Sequence, residues 1–252
     1  MPLSILVAED SGTNRTVIRQ MLVRLGYEPE IVSNGREALD SARERRFDII
    51  FMDMHMPEMD GVEATRRIRA EFGSRPQPRI VALTASGLST QRQNCLRAGM
   101  DGFLTKPLEL PALLATLVRV HEGRPPSQSG TFLPRDEPGV PLEAPLSRIR
   151  PLFENEPERL VTLVDDHLSS ARRHIDAMRH ALAEKNLRQL EHHAHSLKSN
   201  AAMFGSVDVR ELSRRIEHAA AAEGDLDYAQ TLEELANAQD AATLRLRRAL
   251  ET

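Results

Sequence analysis

The amino-acid sequence predicts two domains of different class, an α/β domain followed by an all-α domain. Three observations carry this prediction. Short apolar runs alternate with helical segments in the first half, and only helical segments occur in the second half. Between them, residues 122–143 contain five prolines and three glycines and show no apolar period, so they cannot sustain a helix or a central strand. We therefore expect an α/β domain over 1–121, a linker over 122–143 and a helical domain over 144–252.

The α/β prediction rests on five apolar runs, each followed by a segment with helical periodicity. The runs are nearly all apolar, which is typical of parallel strands that are buried on both faces of a sheet. The strand segments are SILVAED, EIVS, FDIIFMD, RIVALTA and GFLTK, and the helical segments are NRTVIRQMLVRLG, GREALDSARERR, GVEATRRIRAEF, STQRQNCLRAG and ELPALLATLVRVH.

The second half contains helical segments separated by four short breaks: Asn-Glu-Pro, Glu-Lys-Asn, Phe-Gly-Ser and Glu-Gly-Asp. Short connections between helices favour antiparallel neighbours. We therefore expect an antiparallel helical bundle. No internal repeat is visible in either half.

Composition excludes several classes of protein. The chain has 252 residues, 40% of them hydrophobic and 28% charged, which is the ordinary range for soluble globular proteins. A net charge of -4 and an aromatic content of 4% give no reason to expect a nucleic-acid partner. The single cysteine, Cys95, rules out an internal disulfide. The N-terminus lacks the basic region of a signal peptide, and no apolar run approaches the roughly 20 residues that span a bilayer. We expect a cytoplasmic protein without membrane insertion.

Five polar residues fall at the carboxyl ends of predicted strands. Glu9 and Asp10 close the first strand, Asp53 closes the third, and Thr84 and Lys106 follow the fourth and fifth. Ligands of open parallel sheets bind at this edge. Three carboxylates placed together repel one another unless a cation is present, and Mg²⁺ prefers such oxygen ligands. A hydroxyl and an ammonium nearby suit a phosphoryl group. Each residue alone has an ordinary structural explanation, such as capping the next helix, but their joint placement favours a site.

The segments EDSGTNR, FMDMHMPEMDG, LTAS and DGFLTKPL resemble the motifs of response-regulator receiver domains, at matching places along residues 1–121. The resemblance implies a five-stranded doubly wound, flavodoxin-like sheet of order 2-1-3-4-5. It also implies that Asp53 is the phosphoacceptor and that Thr84 and Lys106 contact the phosphoryl oxygens. Phe103 matches the aromatic residue that reports phosphorylation, and the Lys106–Pro107 bond should be cis. The implied Mg²⁺ ligands are Glu9, Asp10, Asp53 and the backbone carbonyl of His55.

The stretch HHAHSLKSNAAMFG, residues 192–205, holds three histidines and a lysine. A helical projection places His195 about 140° from the centre of the apolar stripe, so its imidazole should face outward, with Lys198 on the same face. Zinc binding by His192, His193 and His195 is disfavoured because the three diverge around the helix and no cysteine lies near. For HHAH alone, a solvated polar face is the default interpretation.

The longer stretch AHSLKSNAAMFG resembles the motif of histidine phosphotransfer (Hpt) domains, whose fold is a four-helix bundle with an extra N-terminal helix. His195, Lys198 and Gly205 match the motif, whereas Ser199 replaces the glycine that is common there. By this resemblance His195 accepts and donates the phosphoryl group, and Glu217 on the next helix orients its imidazole. Two of the only three lysines in the chain, at 106 and 198, occupy the two positions where phosphoryl chemistry calls for an ammonium.

Together the two resemblances imply a phosphorelay intermediate of a two-component system. It would pass a phosphoryl group between Asp53 and His195, relaying a signal from a sensor histidine kinase to a downstream response-regulator receiver domain. The only small-molecule substrates expected are phosphodonors. No nucleotide-binding loop is visible, so we expect a signalling protein that catalyses only its own phosphorylation and dephosphorylation. Two alternatives stay open: an aspartyl-phosphate hydrolase with Asp53 as nucleophile, and an adaptor that works without phosphate.

Overall fold

The structure is a computed structural model that describes residues 2–73, 76–84, 89–126 and 145–251, without the side chains of 89–92. The chain separates into two compact units, Met1–Pro138 and Gly139–Thr252. Most of the predicted linker, 127–143, lies outside the described residues. The domain boundaries at 121 and 144 therefore stay predictions.

The first unit is built on a five-stranded parallel sheet of order β2-β1-β3-β4-β5. This confirms the predicted α/β class and strand order. Every residue of β1 and β3 is buried, as expected for strands covered on both faces. The strands are β1 Ile5–Ala8, β2 Glu30–Val32, β3 Ile49–Asp53, β4 Arg79–Thr84 and β5 Gly102–Thr105.

Each strand is followed by a helix, as the alternating pattern predicts. The first helix begins at Gly12, two residues before the predicted start, because the Ser11 side chain accepts a hydrogen bond from the Asn14 amide and caps it. The helices are α1 Gly12–Arg24, α2 Gly35–Glu44, α3 Gly61–Phe72, α4 Ser89–Ala98 and α5 Leu110–His121.

Gly61, the first residue of α3, lies directly against the end of β3. A Cβ atom at this position would lie 2.1 Å from the carbonyl oxygen of Asp53. Because no side chain fits in that space, glycine is what allows α3 to start so close to the strand. The end of β3 is thereby fixed from one side by backbone contact.

Over residues 145–251 the second unit contains four α-helices, and the four predicted breaks lie before the first of them and between consecutive ones. Consecutive helices pack together and the last returns to the first, which confirms the predicted bundle. A 3-10 turn at Arg150–Phe153 stands before the first bundle helix in the described chain, where the resemblance implies an extra α-helix. Residues 127–144 lie outside the described residues, so the extra N-terminal helix stays a prediction. The helices are α6 Pro157–Ala183, α7 Leu187–Met203, α8 Val207–Ala221 and α9 Tyr228–Leu250.

The core of the bundle contains the apolar stripe predicted for α7. Four of its residues, Leu190, Ala194, Leu197 and Ala201, are fully buried. In the described part of the chain, none of the helices combines the length and the apolar character of a bilayer-spanning segment.

Candidate functional site

The first candidate site lies at the carboxyl ends of β1, β3 and β5, where Glu9, Asp53 and Lys106 meet. The Lys106 ammonium Nζ lies 2.6 Å from Asp53 Oδ2 and 2.7 Å from Glu9 Oε2. All three side chains are almost completely buried, with exposed fractions of 6% for Lys106, 2% for Asp53 and 0% for Glu9. Parallel strands end at one edge of the sheet, so residues distant in sequence converge there.

Burial dominates the electrostatics of this cluster. It raises the pKa of Glu9 and of Asp53, because a buried carboxylate loses its hydration, and the ammonium of Lys106 only partly opposes the rise. Burial alone would lower the pKa of Lys106, but the charges of Asp53 and Glu9 outweigh it and raise that pKa instead. One ammonium therefore only partly compensates the two buried carboxylates.

Asp10 completes a set of three carboxylates. One oxygen from each of Glu9, Asp10 and Asp53 lies within 4.8 Å of the others. Lys106 supplies one positive charge against three negative ones, and the donor atoms are hard oxygens. This arrangement fits a magnesium ion, which prefers carboxylate ligands and keeps water or substrate oxygens in its remaining positions.

Two residues that the sequence analysis did not single out position the Glu9 end of the site. Asn14 Nδ2 donates a hydrogen bond of 2.8 Å to Glu9 Oε1. The Arg15 guanidinium donates to the backbone carbonyls of Glu9 and Asp10, at 2.9 and 2.7 Å. Both residues belong to the EDSGTNR motif. The Ser11 cap, which places them in the first turn of α1, is the signal from which they could have been found.

The remaining predicted residues of this unit lie on β4, β5 and the loop after β3. Thr84 is the buried last residue of β4, and its carbonyl accepts a 2.7 Å hydrogen bond from the Lys106 amide. The His55 amide donates to Asp53 Oδ1 at 3.3 Å. Phe103 is buried and belongs to the apolar core of this unit. The predicted cis bond at Lys106–Pro107 is confirmed.

The second candidate site joins two helices of the bundle. On α7, His195 Nδ1 lies 2.6 Å from Glu217 Oε1 on α8. The other oxygen of the same carboxylate accepts a hydrogen bond from Lys198 Nζ. Burial would raise the pKa of Glu217, but the hydrogen bond to His195 and the positive charges of His195 and Lys198 outweigh burial and lower it to about 2. Glu217 is therefore ionised at neutral pH and holds both α7 residues.

The Nδ1 edge of the His195 ring faces Glu217 on the neighbouring helix α8. A helical projection measures the angle from the apolar stripe of one helix and does not contain the position of the next helix, so it does not predict this contact. The outward orientation expected for the imidazole stays a prediction.

Comparisons with known proteins match both units. The family model of the response regulator receiver domain matches residues 5–118, and that of the Hpt domain matches residues 162–251. The polar-differentiation response regulator DivK of Brucella anthropi is 33% identical over 117 residues, which cover 46% of this chain and 94% of DivK.

Larger proteins and a solved structure match the first unit. Hybrid signal transduction histidine kinase H of Dictyostelium discoideum is 42% identical over 122 residues, which are 47% of this chain and 9% of the kinase. The chain thus spans about a tenth or less of the first curated relatives. The receiver domain of a sensor histidine kinase from Pseudomonas aeruginosa, crystallised with magnesium in its active-site cleft, is 42% identical, with a TM-score of 0.43. That match covers 47% of this chain and 97% of the crystallised one.

The two family matches define the class of the protein as that of two-component signalling proteins. The chain belongs to the response-regulator receiver family through residues 5–118 and also carries an Hpt domain at residues 162–251.

Proposed function

We propose that this chain is a phosphorelay intermediate that passes a phosphoryl group between Asp53 and His195. The single observation that carries the proposal is the presence of both acceptor residues in one chain, each with its own supporting ionic group. Asp53 has the shared ammonium of Lys106, and His195 has the ionised carboxylate of Glu217. An aspartyl-phosphate hydrolase would leave the second arrangement without a role.

At the first site, a carboxylate oxygen of Asp53 attacks the phosphorus atom of the donor. An O–P bond forms, and the bond from phosphorus to the donor nitrogen or oxygen breaks, with its electron pair leaving on the donor. Glu9, Asp10, Asp53 and the carbonyl of His55 would hold Mg²⁺, which neutralises charge on the phosphoryl oxygens when bound. Lys106 already contacts the carboxylate and can pass its hydrogen bonds to the transferred group.

At the second site, Glu217 fixes the tautomer of His195. An ionised carboxylate beside Nδ1 keeps a proton on that nitrogen, so the proton that the imidazolium loses is the one on Nε2, and the lone pair of the neutral form lies there. Nε2 is then the nucleophile that takes the phosphoryl group from an aspartyl phosphate. As the ring gains positive charge during attack, the same carboxylate stabilises it. Lys198 lies on the other carboxylate oxygen and supplies the cation for the incoming phosphoryl charge.

The upstream partner in this proposal is a sensor histidine kinase, and the downstream partner is the receiver domain of a response regulator. The family of each unit supports this pairing, since a receiver domain takes phosphate from histidine and an Hpt domain exchanges it with aspartate.

The test is labelling with a radioactive small phosphodonor such as acetyl phosphate. We expect the unsubstituted protein to gain label only when Mg²⁺ is present, and Asp53→Asn to gain none. The matched variant His195→Gln should still be labelled at Asp53 but should not carry label that survives alkali, which hydrolyses acyl phosphates and leaves phosphohistidine intact. Equal labelling of Asp53→Asn and the unsubstituted protein, or equal labelling in excess EDTA, would contradict the proposal.

A further inference from the structure

Three of the bundle histidines that have no part in the proposed phosphoryl transfer lie close together. His193 on α7 faces His174 on α6, and their Nδ1 atoms lie 3.3 Å apart. His192 lies beside them, with its ring centroid 5.3 Å from that of His193. All three are partly exposed, so a dissolved ion can reach them, while the packing of α6 on α7 keeps the facing pair in place.

The separation of the two Nδ1 atoms can be compared with the spacing of two nitrogen ligands on one metal ion. Histidine nitrogens bind zinc at about 2.0–2.1 Å, and a tetrahedral angle then separates two such nitrogens by about 3.3–3.4 Å. Hydrogen bonds donated by nitrogen usually span about 2.7–3.2 Å between heavy atoms. The spacing of 3.3 Å between His174 and His193 therefore matches two ligands of one metal ion and lies at the long end for a direct hydrogen bond.

The protonation state of the pair is also suitable, because only a neutral imidazole binds a metal. Burial lowers the pKa of His174 to about 4, with smaller contributions from the neighbouring charges of His193, His192 and Arg173. Burial and then His192 lower the pKa of His193. At neutral pH both rings carry a lone pair. Arg173 is exposed, so solvent screens its repulsion of a cation.

We propose that His174 and His193 form a binding site for one divalent transition-metal ion such as Zn²⁺, which bridges α6 and α7 with water in the remaining positions. Imidazole ligands favour zinc, nickel and copper over magnesium, so this site differs in chemistry from the carboxylate cluster of the first unit. It does not use His195. One ligand comes from a different helix, which is the reason that spacing within HHAH alone did not reveal the pair.

Zinc titration by calorimetry of the full chain tests the site, with Mg²⁺ in large excess to occupy the carboxylate cluster. We expect the unsubstituted protein to show a site whose affinity falls at least about tenfold in His174→Gln and in His193→Gln. The matched control is His180→Gln, which removes an exposed imidazole from the same helix and should change the affinity less than about twofold. Absence of zinc binding, or equal binding by all four proteins, would overturn the proposal.

A second measurement on the unsubstituted protein covers the case in which a glutamine variant does not fold. Nitrogen-detected NMR of the imidazoles should show large shifts of the His174 and His193 Nδ1 signals when zinc is added. An unchanged pair of signals at a zinc concentration that saturates the calorimetric site would equally overturn the proposal. Neither outcome depends on phosphoryl transfer, so the two proposals are tested separately.

Discussion

At the level of single residues, one carboxylate, that of Glu217, positions two residues of the second site. Each of its two oxygens contacts a different residue of α7, so one carboxylate sets the position of both the imidazole of His195 and the ammonium of Lys198. The Glu217 side chain is 13% exposed, so solvent screens these contacts only weakly. A buried charge of this kind is costly to disturb, because removing it leaves the remaining charges uncompensated.

We predict that Glu217→Gln lowers the free energy of unfolding by about 2–3 kcal/mol at pH 7. The folded-state pKa of about 2 lies below the value of 4.5 for a free glutamate. The stabilisation is therefore complete above pH 4.5 and is lost as the pH falls through about 2. Urea denaturation at pH 7 and pH 3 should show a smaller difference between the two proteins at the lower pH.

The matched control for this prediction is Glu211→Gln on the same helix. Glu211 forms an ion pair of 2.5 Å with Arg214, but both side chains are 47% exposed. Because exposed pairs contribute little, we expect a loss below about 1 kcal/mol. If Glu211→Gln costs as much as Glu217→Gln, the account of Glu217 as a buried shared partner is wrong.

At the level of secondary-structure elements, the contact between α3 and β3 depends on Gly61. We predict that Gly61→Ala lowers the free energy of unfolding by about 3 kcal/mol or more, because the new methyl group would collide with the Asp53 carbonyl and backbone cannot move aside cheaply. The same variant should accept less phosphoryl label at Asp53. Urea denaturation and the labelling assay measure the two effects.

Gly12→Ala is the control for Gly61→Ala. Gly12 is also the first residue of a helix, α1, but the nearest atom to an added Cβ lies 3.6 Å away on the Arg15 side chain. We expect this change to be neutral or to stabilise by up to about 1 kcal/mol. Similar losses in both variants would show that the close approach at Gly61 is not the cause.

The pairing of α6 with α7 includes a buried histidine that is distinct from the proposed metal ligands. His167 stacks on Phe204, with ring centroids 3.8 Å apart, and neither of its nitrogens has a hydrogen-bond partner among the described residues. Burial, with a smaller effect of His174, lowers the pKa of His167 to about 3. The neutral ring thus behaves as an apolar one until acid protonates it.

We predict that His167→Phe makes the protein less sensitive to acid. The unfolded chain binds a proton near pH 6.5 and the folded chain only near pH 3, so His167 destabilises the fold progressively as the pH falls between these values. At pH 5 this effect is about 2 kcal/mol. Relative to pH 8, the phenylalanine variant should gain that amount over the unsubstituted protein in urea denaturation. His180→Gln, which removes an exposed ring, should show no such gain.

The elements also show which features the sequence could predict. The strand ends bearing Glu9, Asp53 and Lys106 were predictable, because the apolar runs are periodic and parallel strands end at one edge. The facing of His174 and His193 was not, because it depends on how far α7 slides along α6, and no local pattern encodes that distance.

At the level of the whole molecule, the two sites lie in separate units of one chain. If residues 122–143 behave as the flexible linker that their composition predicts, their mean span is about 23–28 Å. That length is comparable to the size of the units, whose radii of gyration should be roughly 13–14 Å. We predict that transfer between Asp53 and His195 occurs within one molecule, at a rate that dilution does not change.

A dilution series with labelled protein measures the rate of transfer between Asp53 and His195. The control mixes Asp53→Asn protein with phosphorylated His195→Gln protein, a pair that can transfer only between molecules and should slow on dilution. If the unsubstituted protein slows in the same way as the mixture, transfer runs only between chains.

Fragments 1–121 and 144–252 should each show a cooperative thermal transition, as the separate cores predict.

The order of elements along the chain has a consequence for synthesis on the ribosome. All five strands and the helices that cover them are complete by His121, whereas His195 follows 74 residues later. At about 5–20 residues per second, that interval lasts about 4–15 s, which is long compared with the folding of a small α/β domain. A nascent chain can therefore assemble its aspartate site while its histidine site does not yet exist.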